Sequence, residues 1–241
     1  MAFAATVRDN GRDAPLILFV HGNGASRDDW SEAFTLPYLE RFSLLAVDLP
    51  GYGDTPAVAD FRFASIADEL RRFLHGKVAP VVVLGHSMGG PIVTLLAERL
   101  PTVSGVVLLE GSLFPDHAAG AVPFANVLEE VEAAASMDPT FGRYVISLRR
   151  ADPATFDAGM QEIARYARDG DALRRFYGLP MPRVYVAGDK IARGDLDSLE
   201  RNGVEIRRFP GAGHAVMFDE PDGFYAFLTK WATKVVGEAR V

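Results

Sequence analysis

The sequence predicts an α/β fold, a mostly parallel central sheet flanked by helices and carrying a helical insertion. Three observations carry that prediction. Short runs apolar at every position recur along the chain, as strands covered on both faces require. Stretches with helical spacing alternate with them. The alternation then lapses between 113 and 180, where Ala, Glu, Arg and Asp rise and strand-like runs become scarce.

The first strand is read at 16–20, after an Asn10-Gly11 turn signal and Pro15. His21-Gly22-Asn23-Gly24 follows, then a helix over 30–40. A second strand, 44–47, runs into Asp48-Leu49-Pro50-Gly51-Tyr52-Gly53, too rich in turn formers to continue it. Apolar residues at 63, 66, 67, 70, 73 and 74 give a helix with one buried face. The third strand, 81–84, leads through Gly85-His86-Ser87-Met88-Gly89-Gly90 into an apolar helix that Pro101 stops. The fourth, 106–109, ends in Glu110-Gly111-Ser112. Short helices are expected in 125–137, 141–150 and 155–177. Strands at 184–187 and 204–209, a helix at 196–201 between them and a closing amphipathic helix at 224–236 complete the pass. One core domain, 1–112 and 181–241, interrupted by a helical cap at 113–180, accounts for this pattern better than two independent domains.

Composition narrows the function. Lys plus Arg is 25 against 32 Asp plus Glu, a net charge of −7, so the broad cationic field of a nucleic-acid binder is missing. There is no cysteine, which excludes disulfides, thiolate metal sites and cysteine nucleophiles. No apolar run is long enough to span a bilayer and no secretory signal is visible, so a cytoplasmic address is expected. No His/Asp cluster has metal-ligand spacing, and Gly51-Tyr52-Gly53 sits in the wrong loop context for a phosphate cradle, so no cofactor is expected.

The strongest chemical signal is Gly85-His86-Ser87-Met88-Gly89 between a buried strand and a helix. A G-x-S-x-G turn of this kind lifts a serine to the carboxyl end of a sheet, with small flanking residues letting strand and helix approach. A serine needs a base. Of His21, His75, His86, His117 and His214, the last follows the final strand in Gly211-Ala212-Gly213-His214, where a loop can carry it over Ser87. His75 and His117 read as solvated, His21 as an organiser of its loop, and the side chain of His86 as turned away from that of Ser87. The backbone N–H groups of Met88 and Asn23 are the expected oxyanion donors. For the acid that orients His214 two loops compete: Glu110 after 106–109, and Asp189 after 184–187 with Asp195 and Asp197 close behind.

Taken together, the elbow at 85–89, His21-Gly22, Asp48-Leu49-Pro50-Gly51-Tyr52-Gly53 and Gly211-Ala212-Gly213-His214 resemble, in order, the landmarks of the α/β-hydrolase fold family. The resemblance covers 15–110 and 180–235, with 113–180 standing where the family carries its variable cap. It implies a sheet of about seven strands here, since only about 14 residues precede the first clear one and the family's usual first strand has no room. It also departs from the family at Gly188-Asp189-Lys190-Ile191, where isoleucine occupies the usual acid position. Glu110 resembles the variant in which the acid follows the strand before the cap, as in haloalkane dehalogenases and some lactone-cleaving members. On that likeness it stands ahead of Asp189.

The resemblance implies a serine hydrolase that cleaves a carboxylic ester or lactone through an acyl-enzyme on Ser87. Dehalogenation is disfavoured, because the dehalogenases carry aspartate where this chain has Ser87. Carbon–carbon bond hydrolysis and cofactor-free perhydrolase or haloperoxidase chemistry use the same site and stay open. A ligand receptor on a hydrolase scaffold is the non-enzymatic reading. The aromatic-rich insertion predicts a small-molecule substrate that is partly apolar. The sequence does not give the oligomeric state.

Overall fold

The computed structural model describes residues 2–76, 79–118, 122–137 and 141–238. The first half of the chain forms β1 (Ala5–Arg8), β2 (Leu16–Val20), α1 (Ser31–Thr35), β3 (Ser43–Val47), α2 (Phe63–Phe73), β4 (Val81–His86), α3 (Gly89–Ala97) and β5 (Val103–Leu109). Four helices come next: α4 (Phe124–Met137), α5 (Gly142–Leu148), α6 (Pro153–Arg168) and α7 (Asp171–Gly178). The chain then returns to the sheet through β6 (Arg183–Ala187), α8 (Arg193–Arg201), β7 (Glu205–Arg208), α9 (Val216–Asp219) and α10 (Pro221–Glu238).

All seven strands lie in one sheet, ordered β1-β3-β2-β4-β5-β6-β7. Only β1 runs antiparallel to its neighbour; the other pairs are parallel. The strand order explains the unbroken apolar runs. In β2, Leu16, Leu18 and Val20 feed the core on one face, while Ile17 and Phe19 feed the core on the other. β4 does the same with Val81 and Val83 against Val82 and Leu84. A period-two strand buried on both sides has no polar side to show. The edges differ: β1 and β7 are half exposed and carry Arg8, Glu205, Arg207 and Arg208, charges that discourage further strand pairing.

Several local readings need correction. The helix expected over 30–40 is a 3₁₀ turn, Arg27–Trp30, followed by the short α1. Leu36 leaves the helix with ψ 149°, because Pro37 clashes with a helical conformation in the residue before it. The stretch 155–177 is two helices, broken at Gly170 with φ 63°. β1 went unread, since its short, half-exposed pattern has no apolar run. Even so, the sheet has seven strands, as expected. No described helix is long and apolar enough to cross a membrane.

The chain leaves β2 toward β3 on one side and leaves β4 toward β5 on the other. The loops after β2 and β4 therefore diverge at their carboxyl ends and open a crevice, the place where α/β sheets bind ligands.

The inserted helices are bonded to the core rather than merely laid on it. Glu162 of α6 is 2% exposed. Its Oε2 accepts the Phe63 N–H at 3.0 Å, filling the place of a cap that Arg62 does not supply to α2. Arg62 and Arg165 compensate its charge. Glu162→Ala would leave a buried donor unpaired at the start of α2, with an expected loss of about 2–3 kcal/mol of unfolding free energy. Glu162→Gln, which keeps an acceptor, is expected to lose less; urea denaturation of the three proteins measures both.

Candidate active site

Parallel pairing of β4 with β5 sets His86 opposite Leu109, so Ser87 and Glu110 are the first residues beyond two adjacent strand ends. Both have φ 49°, and they are the two non-glycine residues with positive φ among those described. For side chains with a Cβ that conformation costs on the order of 1–2 kcal/mol. The ladder holds them there: Ser87 N–H donates to Leu109 O at 3.0 Å and Glu110 N–H to Val186 O at 2.9 Å. A Cβ at Gly85 would overlap the Gly89 carbonyl, and one at Gly89 would overlap that of Val20. Glycine at 85 and 89 is thus what lets α3 start hard against β2 and β4.

Glu110 is 1% exposed. One carboxylate oxygen accepts the Gly188 N–H at 2.6 Å, and the other lies 3.3 Å from His214 Nδ1. The His214 side chain is 53% exposed, and Ser87 is half-buried. Asp189 is directed elsewhere. It accepts the Gly211 N–H at 2.8 Å and sits 3.9 Å from Arg208 on the exposed side of the loop. Asp195 and Asp197 lie on α8. Ile191 packs half-buried against the core cluster that contains Tyr185 and Leu196.

The loop that carries His214 is tied down along its length. Asp189 N–H donates to Ala212 O at 2.8 Å, and Gly213 N–H to Asp219 Oδ2 of α9 at 2.7 Å. His86, the last residue of β4, has Nε2 3.0 Å from the His214 carbonyl and its ring 4.8 Å from the His214 ring. Burial, and then the neighbouring His214, bring its pKa down to about 3. His75 is exposed, and the side chain of His117 lies outside the described residues.

Met88, buried, is the N-cap residue of α3, so its N–H has no acceptor within the helix. Asn23 is braced from several directions. Its Oδ1 accepts from Tyr52 Oη, its Nδ2 donates to Phe156 O at 3.2 Å, and its carbonyl accepts from Tyr144 Oη at 3.1 Å. The side chain thus serves the loop. His21, fully buried, accepts the Leu49 N–H at Nε2 (2.9 Å), which leaves Nδ1 to donate to Gly22 O (2.7 Å). Burial also pulls its pKa down. Asp48 accepts Arg27 N–H and Asp54 N–H at 2.7 and 2.9 Å and pairs with the Arg27 guanidinium. These bonds join the loop after β3 to the loop after β2. The sequence contained no local sign of the Tyr52, Tyr144 and Phe156 contacts, because the partners lie 29, 121 and 133 residues from Asn23.

A sequence profile of the alpha/beta hydrolase family matches residues 17–227. The chain belongs to that family. Within it, 23% identity over 231 residues links the chain to a 2-succinyl-6-hydroxy-2,4-cyclohexadiene-1-carboxylate synthase of Citrobacter koseri, covering 87% of this chain and 90% of that protein. A pimeloyl-[acyl-carrier protein] methyl ester esterase of Neisseria meningitidis is 37% identical over 86 residues, 35% of this chain and 31% of the esterase. Matches to further curated relatives span between 21% and 45% of the relative's length. Among solved structures, one from work on carboxylesterases of Nitrososphaera gargenis superposes with a TM-score of 0.80 at 18% identity, covering 98% of this chain and 96% of that one. That last likeness is one of fold. Among the described residues, no group of three or more His, Asp or Glu side chains is placed to hold a metal ion.

One buried acid lies beside this site. Asp29, 5% exposed, is raised to about 7 by burial and then by Asp28. Arg143 of α5 opposes the rise, while Glu32 and Asp48 add to it. Tyr144 and Tyr225, whose own pKa values burial pushes up, also feel its charge. Between its unfolded value of 3.8 and about 7, the folded chain holds a proton that the unfolded chain has released. Stability at this site therefore falls as pH rises through that window and levels off above it. Asp29→Asn stays neutral throughout. Its stability relative to the wild type is expected to grow by an amount on the order of 3 kcal/mol between about pH 5 and pH 8, with the growth already begun above about pH 4. Thermal unfolding of both proteins across that range measures it.

Proposed function

We propose that this chain is a serine hydrolase that cleaves a carboxylic ester or lactone through an acyl-enzyme on Ser87. One observation carries the reading: two strained residues, Ser87 and Glu110, stand at one height on neighbouring strands, and the buried Glu110 lies 3.3 Å from Nδ1 of His214. Strain held at a strand end by the surrounding fold is a mark of a functional position.

In this mechanism the Glu110 carboxylate accepts from His214 Nδ1–H, which leaves Nε2 as the bare nitrogen to take the Ser87 proton. Nε2 removes the hydroxyl proton as Oγ attacks the carbonyl carbon, and the carbonyl π electrons move onto oxygen. The N–H groups of Met88 and Asn23 stabilise that oxyanion. Collapse expels the alkoxide, which takes the proton from His214 as it departs. Water then attacks the acyl-enzyme by the reverse path, with His214 again accepting and returning the proton. The 3.3 Å contact between Glu110 and His214 Nδ1 gains charge assistance as the imidazolium forms.

The inserted helices act as the cap and set the substrate. Tyr144, Leu148 and Phe156 crowd the Asn23–Gly24 loop, and Phe124 packs on Phe156. The aromatic and aliphatic side chains of the insertion favour a small or medium apolar acyl group. The esterase names carried by the Neisseria relative and the structural neighbour support the ester reading. The relative aligned over 231 residues is named a synthase and not an esterase, so ester hydrolysis is not the sole chemistry among the relatives, and carbon–carbon bond cleavage by the same Ser87–His214 pair is the second reading.

Turnover of a p-nitrophenyl ester chain-length series, with simple lactones and a vinylogous diketone alongside, tests the proposal. Ser87→Ala is expected to lose at least about 10³-fold in kcat, and Glu110→Gln about 10²–10⁴-fold. Asp189→Asn, which keeps an acceptor for Gly211 N–H on an exposed surface, is expected to stay within about threefold. Full activity in Glu110→Gln together with loss in Asp189→Asn would assign the acid to Asp189 instead. Ser87-dependent turnover of the diketone alone would replace ester hydrolysis with carbon–carbon cleavage.

A further inference from the structure

His86 is 7% exposed, and its ring lies between the Trp30 indole, edge-on at 6.5 Å, and the His214 ring. Its Nε2 is 3.0 Å from the His214 carbonyl oxygen. A carbonyl only accepts, so the hydrogen must be on Nε2, and Nδ1 is the bare nitrogen of the neutral ring. Nδ1 is buried and has no hydrogen-bond partner among the described residues. An apolar side chain of similar size would fill the space without burying an unpaired acceptor. What such a side chain could not do is hold the His214 peptide.

We propose that His86 is a positioning residue for His214, its Nε2–H fixing the His214 carbonyl so that the imidazole meets Glu110 on one edge and Ser87 on the other. The proposal rests on the triad reading above. Neighbouring peptides of the loop are already held: Gly211 N–H by Asp189, Ala212 O by Asp189 N–H, and Gly213 N–H by Asp219. The bond from His86 fastens the next group along, on the peptide that carries the imidazole itself. The His214 side chain is 53% exposed, so packing does little to restrict it and its backbone must carry the aim. An error of about 1 Å in such a group can cost about 100-fold in rate. The neutral state of His86 matters too. A pKa of about 3 keeps it uncharged at working pH, so no second cation stands 4.8 Å from His214 when the imidazolium forms.

Two variants separate the hydrogen bond from mere bulk. His86→Leu keeps an apolar side chain and removes the donor, whereas His86→Gln places an N–H near the original Nε2. His86→Leu is expected to lower kcat about 10–100-fold with KM within about threefold, and His86→Gln to recover kcat to within about fivefold of wild type. Wild-type kcat in His86→Leu, or equal losses in two folded variants, would overturn the proposal. The ring ¹⁵N resonances of the wild-type protein provide a test that needs no variant. They should show Nε2 protonated and Nδ1 bare from about pH 5 to 9, and a bare Nε2 also overturns the proposal. Failure of the triad reading looks different, as wild-type protein without Ser87-dependent turnover. In that event the ¹³C resonance of the His214 carbonyl decides the matter. A shift in His86→Leu that is absent in His86→Gln supports the bond, and no shift in either removes it.

Discussion

Parallel register fixes the height at which each strand of this sheet ends, and the site depends on that registration. With His86 opposite Leu109 and Leu109 opposite Val186, the chain leaves the sheet at Ser87, Glu110 and Ala187–Gly188 along one line. A one-residue slip of β5 would turn Glu110 to the other face of the sheet and lose both its partners. The left-handed backbone at Ser87 and Glu110 is affordable because ladder bonds continue through both residues. Gly188 completes the line. A Cβ there would overlap the carbonyls of Ala212 and Gly213, so only glycine lets its N–H reach Glu110 while the His214 loop passes directly overhead.

A second set of contacts surrounds the loop after β2. His21 ties it to Leu49, and Asp48 ties it to the turn at Asp54 through Arg27. From the insertion, Tyr144 and the Phe156 carbonyl hold Asn23, and Ser147 meets Ser26 at 3.1 Å. Arg150 closes the arrangement by pairing with both Asp28 and Asp54. Of these, the exposed ion pairs count for little, since screening and side-chain entropy absorb most of their gain. The buried bonds of Tyr144, Ser147 and His21 count for more, because breaking them would strand polar groups away from water. α5 is therefore held to the loop after β2 more firmly than α4, which has no buried residue.

The sequence made some of this legible and hid the rest for physical reasons. Central strands were readable because burial on both faces leaves continuous apolar runs, as in 16–20 and 81–84. β1 and the early end of α1 were not, since an exposed four-residue edge has no such run and Pro37 acts on the residue before it. Ser87 and His214 stood out because each lies in a glycine-rich loop whose local chemistry is distinctive. The choice between Glu110 and Asp189 stayed open, as it turns on which loop faces His214, and that depends on strand order. The role proposed for His86 was hidden in a similar way. Its place beside Ser87 is visible in the sequence, but its bond spans 128 residues.

The proposed assignment of the acid to Glu110 also accounts for the two residues that looked anomalous after β6. With Glu110 reaching His214 from β5, the loop after β6 is relieved of supplying a carboxylate to the imidazole. Ile191 can then pack against the core, where a charge would need a partner. Asp189, moved to the exposed side, takes up a backbone task by holding Gly211 and, through its own N–H, Ala212. The two carboxylates therefore divide one job. Glu110 addresses the imidazole and Asp189 the loop that carries it, so aim and charge can be altered separately.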